Sequence, residues 1–231
     1  MTEEGLDNGA AVTYYSRIRF IVNLLPLVQR APSLRRIVTV FAGTKEGEVN
    51  VHDFPGRSVP IIRLRGHLGS MMTLALEAIA LESPGVTFIH SFPGSVKTDL
   101  GKDMKTTPMM ILRAVYKVIG PLVNIPYAEA GERQLFIATS ARFPPVLAAN
   151  AVEGTGAAAA AGVAISTGVI VSAGSNGQEG SGVYSVTCDG EPAPQKVREI
   201  LMRLRGDDVV RNLWLHIEEV FTKVTGSSFI V

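Results

Sequence analysis

The sequence predicts an α/β fold in which helices cover a parallel sheet. Three observations carry that reading. Two short β-branched runs, Arg36–Ala42 (RIVTVFA) and Val86–His90 (VTFIH), have the composition of buried strands. Between them, His67–Leu81 carries a broad apolar stripe at helical spacing. Before the first run, Ile18, Ile21, Val22, Leu25 and Val28 recur with a helical period. Helix, strand, helix, strand in that order is the pattern of parallel strands joined by helical crossovers.

Length and composition set the outer limits. The 231 residues, 46% hydrophobic and 19% charged, support a single domain with a sizeable core. Twenty-two basic and 21 acidic residues leave a formal charge of +1, with no long basic run, so no nucleic-acid partner is expected. Cys188 is the only cysteine, which rules out an internal disulfide and a cysteine-built zinc site. No metal is expected, and a reducing, cytoplasmic location fits. The opening MTEEGLDNGAA is acidic and polar, unlike a signal or transit peptide. Thr155–Gln178 is weakly charged but built from Ala, Gly, Ser and Thr, too poor in Leu, Ile and Phe for a spanning helix. No membrane partner is expected.

Taken in order, Thr13–Arg30 reads as a helix with a kink or early end at Pro26. Pro32–Ser33 turns the chain into the strand at Arg36. Gly43–Gly56 is polar and glycine-bearing, hence a loop, and Ser58–Leu64 reads as irregular or as a helix lead-in. His67–Leu81 is rich in Ala, Leu and Met, good helix formers. Met71 and Met72 read as filling core or subunit-contact space. Pro84-Gly85 precedes the strand at Val86, and Phe92-Pro93-Gly94 stops it. Gly101–Pro108 reads as a mobile segment, Met109–Ile119 as a helix, and Ala128–Ser140 as another, ended by Phe143-Pro144-Pro145.

Residues Asn150–Glu179 are low in complexity. Gly154-Thr155-Gly156 with Ala159 imitates a dinucleotide-binding turn, but Leu147–Glu153 is a poor strand and Glu179 follows a Gly/Ser/Asn loop, so the stretch reads as an Ala/Gly-rich surface insertion. Gly182–Asp189 reads as a final strand, and Lys196–Arg205 and Val209–Thr225 as closing helices. Ligands of open α/β sheets sit just beyond the carboxyl ends of the strands. Pro93–Thr98 is therefore the segment best placed to touch a small molecule.

Helix, RIVTVFAG, long helix, VTFIHSFPGSVKTDL and SGVYSVTCDGE together resemble the C-terminal half of the short-chain dehydrogenase/reductase (SDR) fold. The likeness is closest to a divergent group of fungal SDR-like proteins with similar GHLGSMMTLALEA and PLVNIPY segments. It covers Ala11–Val231 apart from the Ala-rich insertion. It implies a Rossmann-like parallel sheet flanked by helices that lacks the first βαβ units, since the chain begins where the family's middle helix begins. PGSVKTDL against the family's PG-x-V-x-T pattern is the most specific piece, and it implies cofactor contacts at Pro93, Gly94, Val96 and Thr98. The implied cofactor is NAD or NADP and the implied substrate a small organic molecule of secondary metabolism.

The catalytic positions depart from the family. Its helix Asn falls near Thr13, its Ser near Phe41 or Ala42 with Thr44 close by, and its Tyr and Lys near Arg65 and Gly69. No Tyr in the chain has a Lys four residues on. That leaves Thr44, Arg65 and His67 as the catalytic candidates. Arg65 can supply charge but not a proton, whereas His67 can titrate near neutrality. The alternatives are an SDR-fold protein without redox activity (a cyclase, an isomerase or a binding module) and a shortened, inactive product. The resemblance also implies a homodimer, with helices Thr13–Arg30 and His67–Leu81 packing across a two-fold axis and Arg17, Arg19, Met71 and Met72 on or near that surface.

Overall fold

The structure is a computed structural model of the chain and describes residues 1–96, 120, 123–146, 162–166 and 168–227. Three strands form one sheet in the order β1-β2-β3, where β1 is Arg36–Val40, β2 Thr87–Ser91 and β3 Val183–Val186. Both pairings are parallel, with Val38 opposite Ile89 and Ile89 opposite Tyr184. The parallel sheet flanked by helices expected from the alternation is what the chain adopts, and it is consistent with the Rossmann-like arrangement the resemblance implies. The expected helix Met109–Ile119, the segment Gly101–Pro108 and the Ala run at 157–161 lie outside the described residues.

The chain enters through a short turn α1 (Asn8–Ala10), a π-helical turn Ala11–Tyr15 and helix α2 (Ser16–Arg30). Helix α2 runs through Pro26 without ending there. Helix α3 (Ile61–Leu81) starts six residues ahead of the expected boundary, with Pro60 at its N-cap. Pro60 fixes the entry, because its φ is preset and the missing N–H is one that a helix start leaves unpaired anyway. Helices α4 (Tyr127–Thr139), α5 (Gln195–Gly206) and α6 (Val209–Thr225) complete the fold.

Strand alternation divides the core in two. Phe88 and Val183 point to the side that holds α2, α3, α5 and α6. Ile89, Tyr184 and Val186 point to the other side, against Ile137 of α4 and Phe143. His67–Leu76 of α3 is buried without interruption. The sheet covers one flank of α3, and α2 and α6 cover the other. Of the two placements expected for Met71 and Met72, core or subunit contact, the structure gives the core: both are fully buried within the chain, on a helix that packs against the sheet, α2 and α6. Among the described residues, no helix is long and apolar enough to cross a membrane.

Candidate functional site

All three strands end at the same edge, so the loops that follow them meet there. The backbone of the loop after β1 is pressed against its neighbours. A Cβ on Gly43 would overlap the His90 carbonyl oxygen and lie 2.9 Å from that of Val186. Thr44 follows with φ of +64°, a left-handed conformation that costs a β-branched residue about 1–2 kcal/mol. The surrounding hydrogen bonds hold it there.

Those bonds converge on one buried carboxylate, Glu46. The Ala42 amide donates to His90 Nε2 at 3.0 Å, which places the ring proton on Nδ1. That Nδ1–H lies 2.8 Å from Thr73 Oγ1, and the Thr73 hydroxyl donates to Glu46 Oε1 at 2.7 Å. A second route starts at the Thr44 amide, which donates to Ser185 Oγ at 2.7 Å, and Ser185 donates to the same Glu46 oxygen at 2.5 Å. The loop is thus tied through β2, β3 and α3 back to its own side chain. Burial pushes the Glu46 carboxyl upward in pKa, and the His90 edge and the two hydroxyls outweigh it, holding the group below the ordinary carboxylate range. Glu46 Oε2 and Thr44 Oγ1 are buried and make no hydrogen bond among the described residues.

Helix α3 lies alongside this loop. The Gly47 amide donates to the Gly66 carbonyl, Ser70 donates to the Gly47 carbonyl at 2.5 Å, and a Cβ on Gly66 would stand 3.2 Å from Gly47 Cα. Arg65, exposed, therefore sits at the seam next to the Thr44 loop. His67 is fully buried and turned toward the following loop. Its Nδ1 accepts the Asn50 amide at 3.1 Å and its Nε2 donates to the Phe54 carbonyl at 2.9 Å. Burial lowers its pKa, and the Phe54 carbonyl and Asp53 only partly offset that. Both ring nitrogens of His67 are engaged, as are both of His90.

The segment after β2 also reaches this edge. Gly94 has φ of +78°, and a Cβ there would overlap Ile125 and lie 3.1 Å from Cys188 Sγ. Ser95 accepts the Ile125 amide at 2.7 Å, and Val96 bridges to Ile125. The Lys45 ammonium stands 5.1 Å from the centre of the Phe92 ring, joining the first two loops. Gly94 thus faces Cys188 in the loop after β3, Val96 pairs with Ile125 ahead of α4, Pro93 lies between β2 and Gly94, and Thr98 lies outside the described residues. From α4, Arg133 donates to Cys188 Sγ at 3.3 Å and pairs with Asp189 and Glu129. Burial and the Asp189 carboxylate push the Cys188 thiol up, so it stays protonated at neutral pH.

The structure brings Thr44, Arg65, Pro93 and Gly94 to one edge and points His67 elsewhere. None of Glu46, Thr73, His90 and Ser185 was a candidate site residue in the sequence. Their one visible signal was an acidic residue inside a glycine-bearing loop. The edge offers a rigid backbone floor rather than an oriented acid–base pair. Among the described residues, no cluster of three His, Cys, Asp or Glu side chains could hold a metal ion.

The chain is similar to fungal oxidoreductases. It is 32% identical to the oxidoreductase andH of Emericella variicolor over 229 residues, covering 98% of this chain and 64% of that protein. It is 32% identical to the oxidoreductase AN1596 of Emericella nidulans over 222 residues, 95% of this chain and 62% of the relative. The short-chain dehydrogenase/reductase SAT2 of Stachybotrys chartarum is 29% identical over 225 residues, 93% of this chain and 58% of its own length. The chain therefore spans somewhat under two thirds of the length of these three relatives. No family model matches the chain, and no solved structure matches it.

Proposed function

We propose that the chain belongs to a nicotinamide-dependent oxidoreductase of SDR type that acts on a small organic substrate of secondary metabolism. The observation that carries this reading is the Pro93-Gly94 turn, set at the carboxyl end of the central parallel strand and locked there by Ile125 and Cys188. That is where open parallel sheets receive ligands. The similarity to fungal proteins named oxidoreductases supports it. No side chain can carry a hydride, so the redox chemistry falls to NAD or NADP, with Pro93, Gly94, Val96 and Thr98 bordering the nicotinamide. Arg65 would supply charge at the rim, and Thr44, whose hydroxyl is buried, would act through the shape it gives the loop after β1.

A second reading, an SDR-fold protein without redox activity, draws on a specific observation. A Cβ on Gly69 would stand 3.4 Å from that of Ala42, and the neighbouring His67 has both ring nitrogens engaged, so among the described residues no titratable proton donor stands where the family's Tyr–Lys pair would be. Titration with NADPH and NADH, followed by calorimetry, separates the two. Saturable binding supports the oxidoreductase reading. No binding of either nucleotide by a cooperatively melting chain supports the second.

A homodimer would use the outward stripe of α2, where Phe20, Leu24 and Leu27 are exposed at i, i+4 and i+7. Light scattering at micromolar concentration tests it, and a monomer there removes the idea.

A further inference from the structure

The amino-terminal tip of α3 exposes what a protein surface ordinarily hides. Ile61 and Ile62, the first two residues of the helix, are 85% and 87% exposed. Consecutive helical side chains diverge by about 100°, so two such exposed neighbours mean that the helix end protrudes from the body. Arg63 and Arg65 follow, both exposed, and neither has an ion-pair partner among the described residues. The first turn holds no acidic residue, although the helix dipole favours anions there and disfavours cations. The carboxylate of the preceding loop, Asp53, is engaged by the Arg57 and Ser58 amides and the Ser58 hydroxyl. Apolar area and unpaired positive charge thus gather where neither serves the fold.

We propose that this tip docks the protein peripherally onto an anionic lipid bilayer. Ile61 and Ile62 enter the boundary between headgroups and acyl chains, and Arg63 and Arg65 meet the lipid phosphates and carboxylates. A protruding apolar pair suits a fluid, deformable surface better than a preformed protein pocket. Its charge is complementary to the cytoplasmic leaflet. Composition gives no hint of this, because the apolar pair is ordinary in sequence and becomes unusual only once the fold leaves it outside.

Docking would also orient the edge described above. Helix α3 starts beside the loop after β1, with Gly66 against Gly47, so the same end of the molecule carries the tip and the strand-end floor. The floor would then open toward the phase in which apolar organic substrates concentrate. That consequence rests on the oxidoreductase reading, whereas the docking itself does not.

The test is co-sedimentation with extruded vesicles of phosphatidylcholine, with and without phosphatidylserine. The wild-type chain is expected to pellet with the anionic vesicles, to bind the neutral ones several-fold less, and to be released by about 0.5 M salt. The double variant Ile61→Ser/Ile62→Ser should lower the partition coefficient at least about five-fold. Its melting temperature should not change, since both side chains are already in water. Arg63→Glu should act in the same direction and reduce the salt dependence. No binding by the wild type, or equal binding by the double variant, overturns the proposal. So does a wild-type oligomer that the double variant dissolves, because the tip would then be a contact between copies. A chain that binds nucleotide but no vesicles contradicts the docking alone, and one that binds vesicles but no nucleotide contradicts the oxidoreductase reading alone.

Discussion

Ser185 of the third strand donates a hydrogen bond to Glu46 of the loop after the first, across 139 positions of sequence, at 2.5 Å. The contact is fully buried and shares its acceptor oxygen with Thr73. Replacing Glu46 by Ala leaves two buried hydroxyls without an acceptor and frees the loop that bears Thr44. The expected loss is about 2–4 kcal/mol of stability, read from urea unfolding. Glu46→Gln keeps one acceptor oxygen and should cost less than half of that.

The same carboxyl gives stability a pH dependence. Its folded pKa lies below the unfolded value of 4.5, so the unfolded chain binds the proton more readily. The contribution is complete above about pH 4.5 and disappears as pH falls through the depressed value. His67 adds a second term. Burial depresses its folded pKa below 6.5, so folding loses stability as pH drops below that value and is unaffected above it. His216 is also held below 6.5 by burial, so wild-type stability should begin to fall on acidification below that value, and His67→Gln should shrink that upper stage without removing it. A His67 resonance that titrates at 6.5 or above would contradict this.

Two glycine substitutions should have opposite signs. Gly43→Ala places a methyl against the backbone carbonyls of His90 and Val186 and should cost about 3 kcal/mol or more. Gly131 lies in α4 with nothing within 4 Å of its prospective Cβ, so Gly131→Ala should stabilise by about 0.5–1 kcal/mol. Thermal melts of the two variants decide both.

Met71→Ala and Met72→Ala each test whether α6 is the permanent cover of α3. Both side chains are fully buried, so each substitution should cost about 2–5 kcal/mol in a monomeric chain, independent of protein concentration. A concentration-dependent loss would mean that a second subunit shares the site.

Much of this was legible in the sequence, for definite reasons. Runs such as RIVTV and VTFIH announce strands because β-branched residues suit a pleated, buried surface. The His67–Leu81 pattern announces a helix, but not what covers it. Periodicity reports that a face is apolar and is silent on whether the same chain or a partner buries it, which is why Met71 and Met72 read equally as core or as subunit contact. The Pro93-Gly94 turn was placed at the edge because proline and glycine end strands for local steric reasons. The Glu46 network was not legible. Its members lie on four separate segments, each an ordinary polar residue in its own context, and only the strand register brings them together. His67 stood out as a titratable group at the start of a predicted helix. The true helix starts six residues earlier, which carries His67 into the core, where two backbone groups engage its ring.

In the proposed oxidoreductase a nicotinamide nucleotide rests on the floor made by the loops after β1 and β2. Amide hydrogen exchange of the full chain, with and without saturating NADPH, tests this most directly. Added protection is expected across 42–47 and 92–96, and Gly94→Ala should abolish it while the protein stays folded. Protection confined to other segments, or none at nucleotide concentrations that saturate ordinary dehydrogenases, would contradict the account.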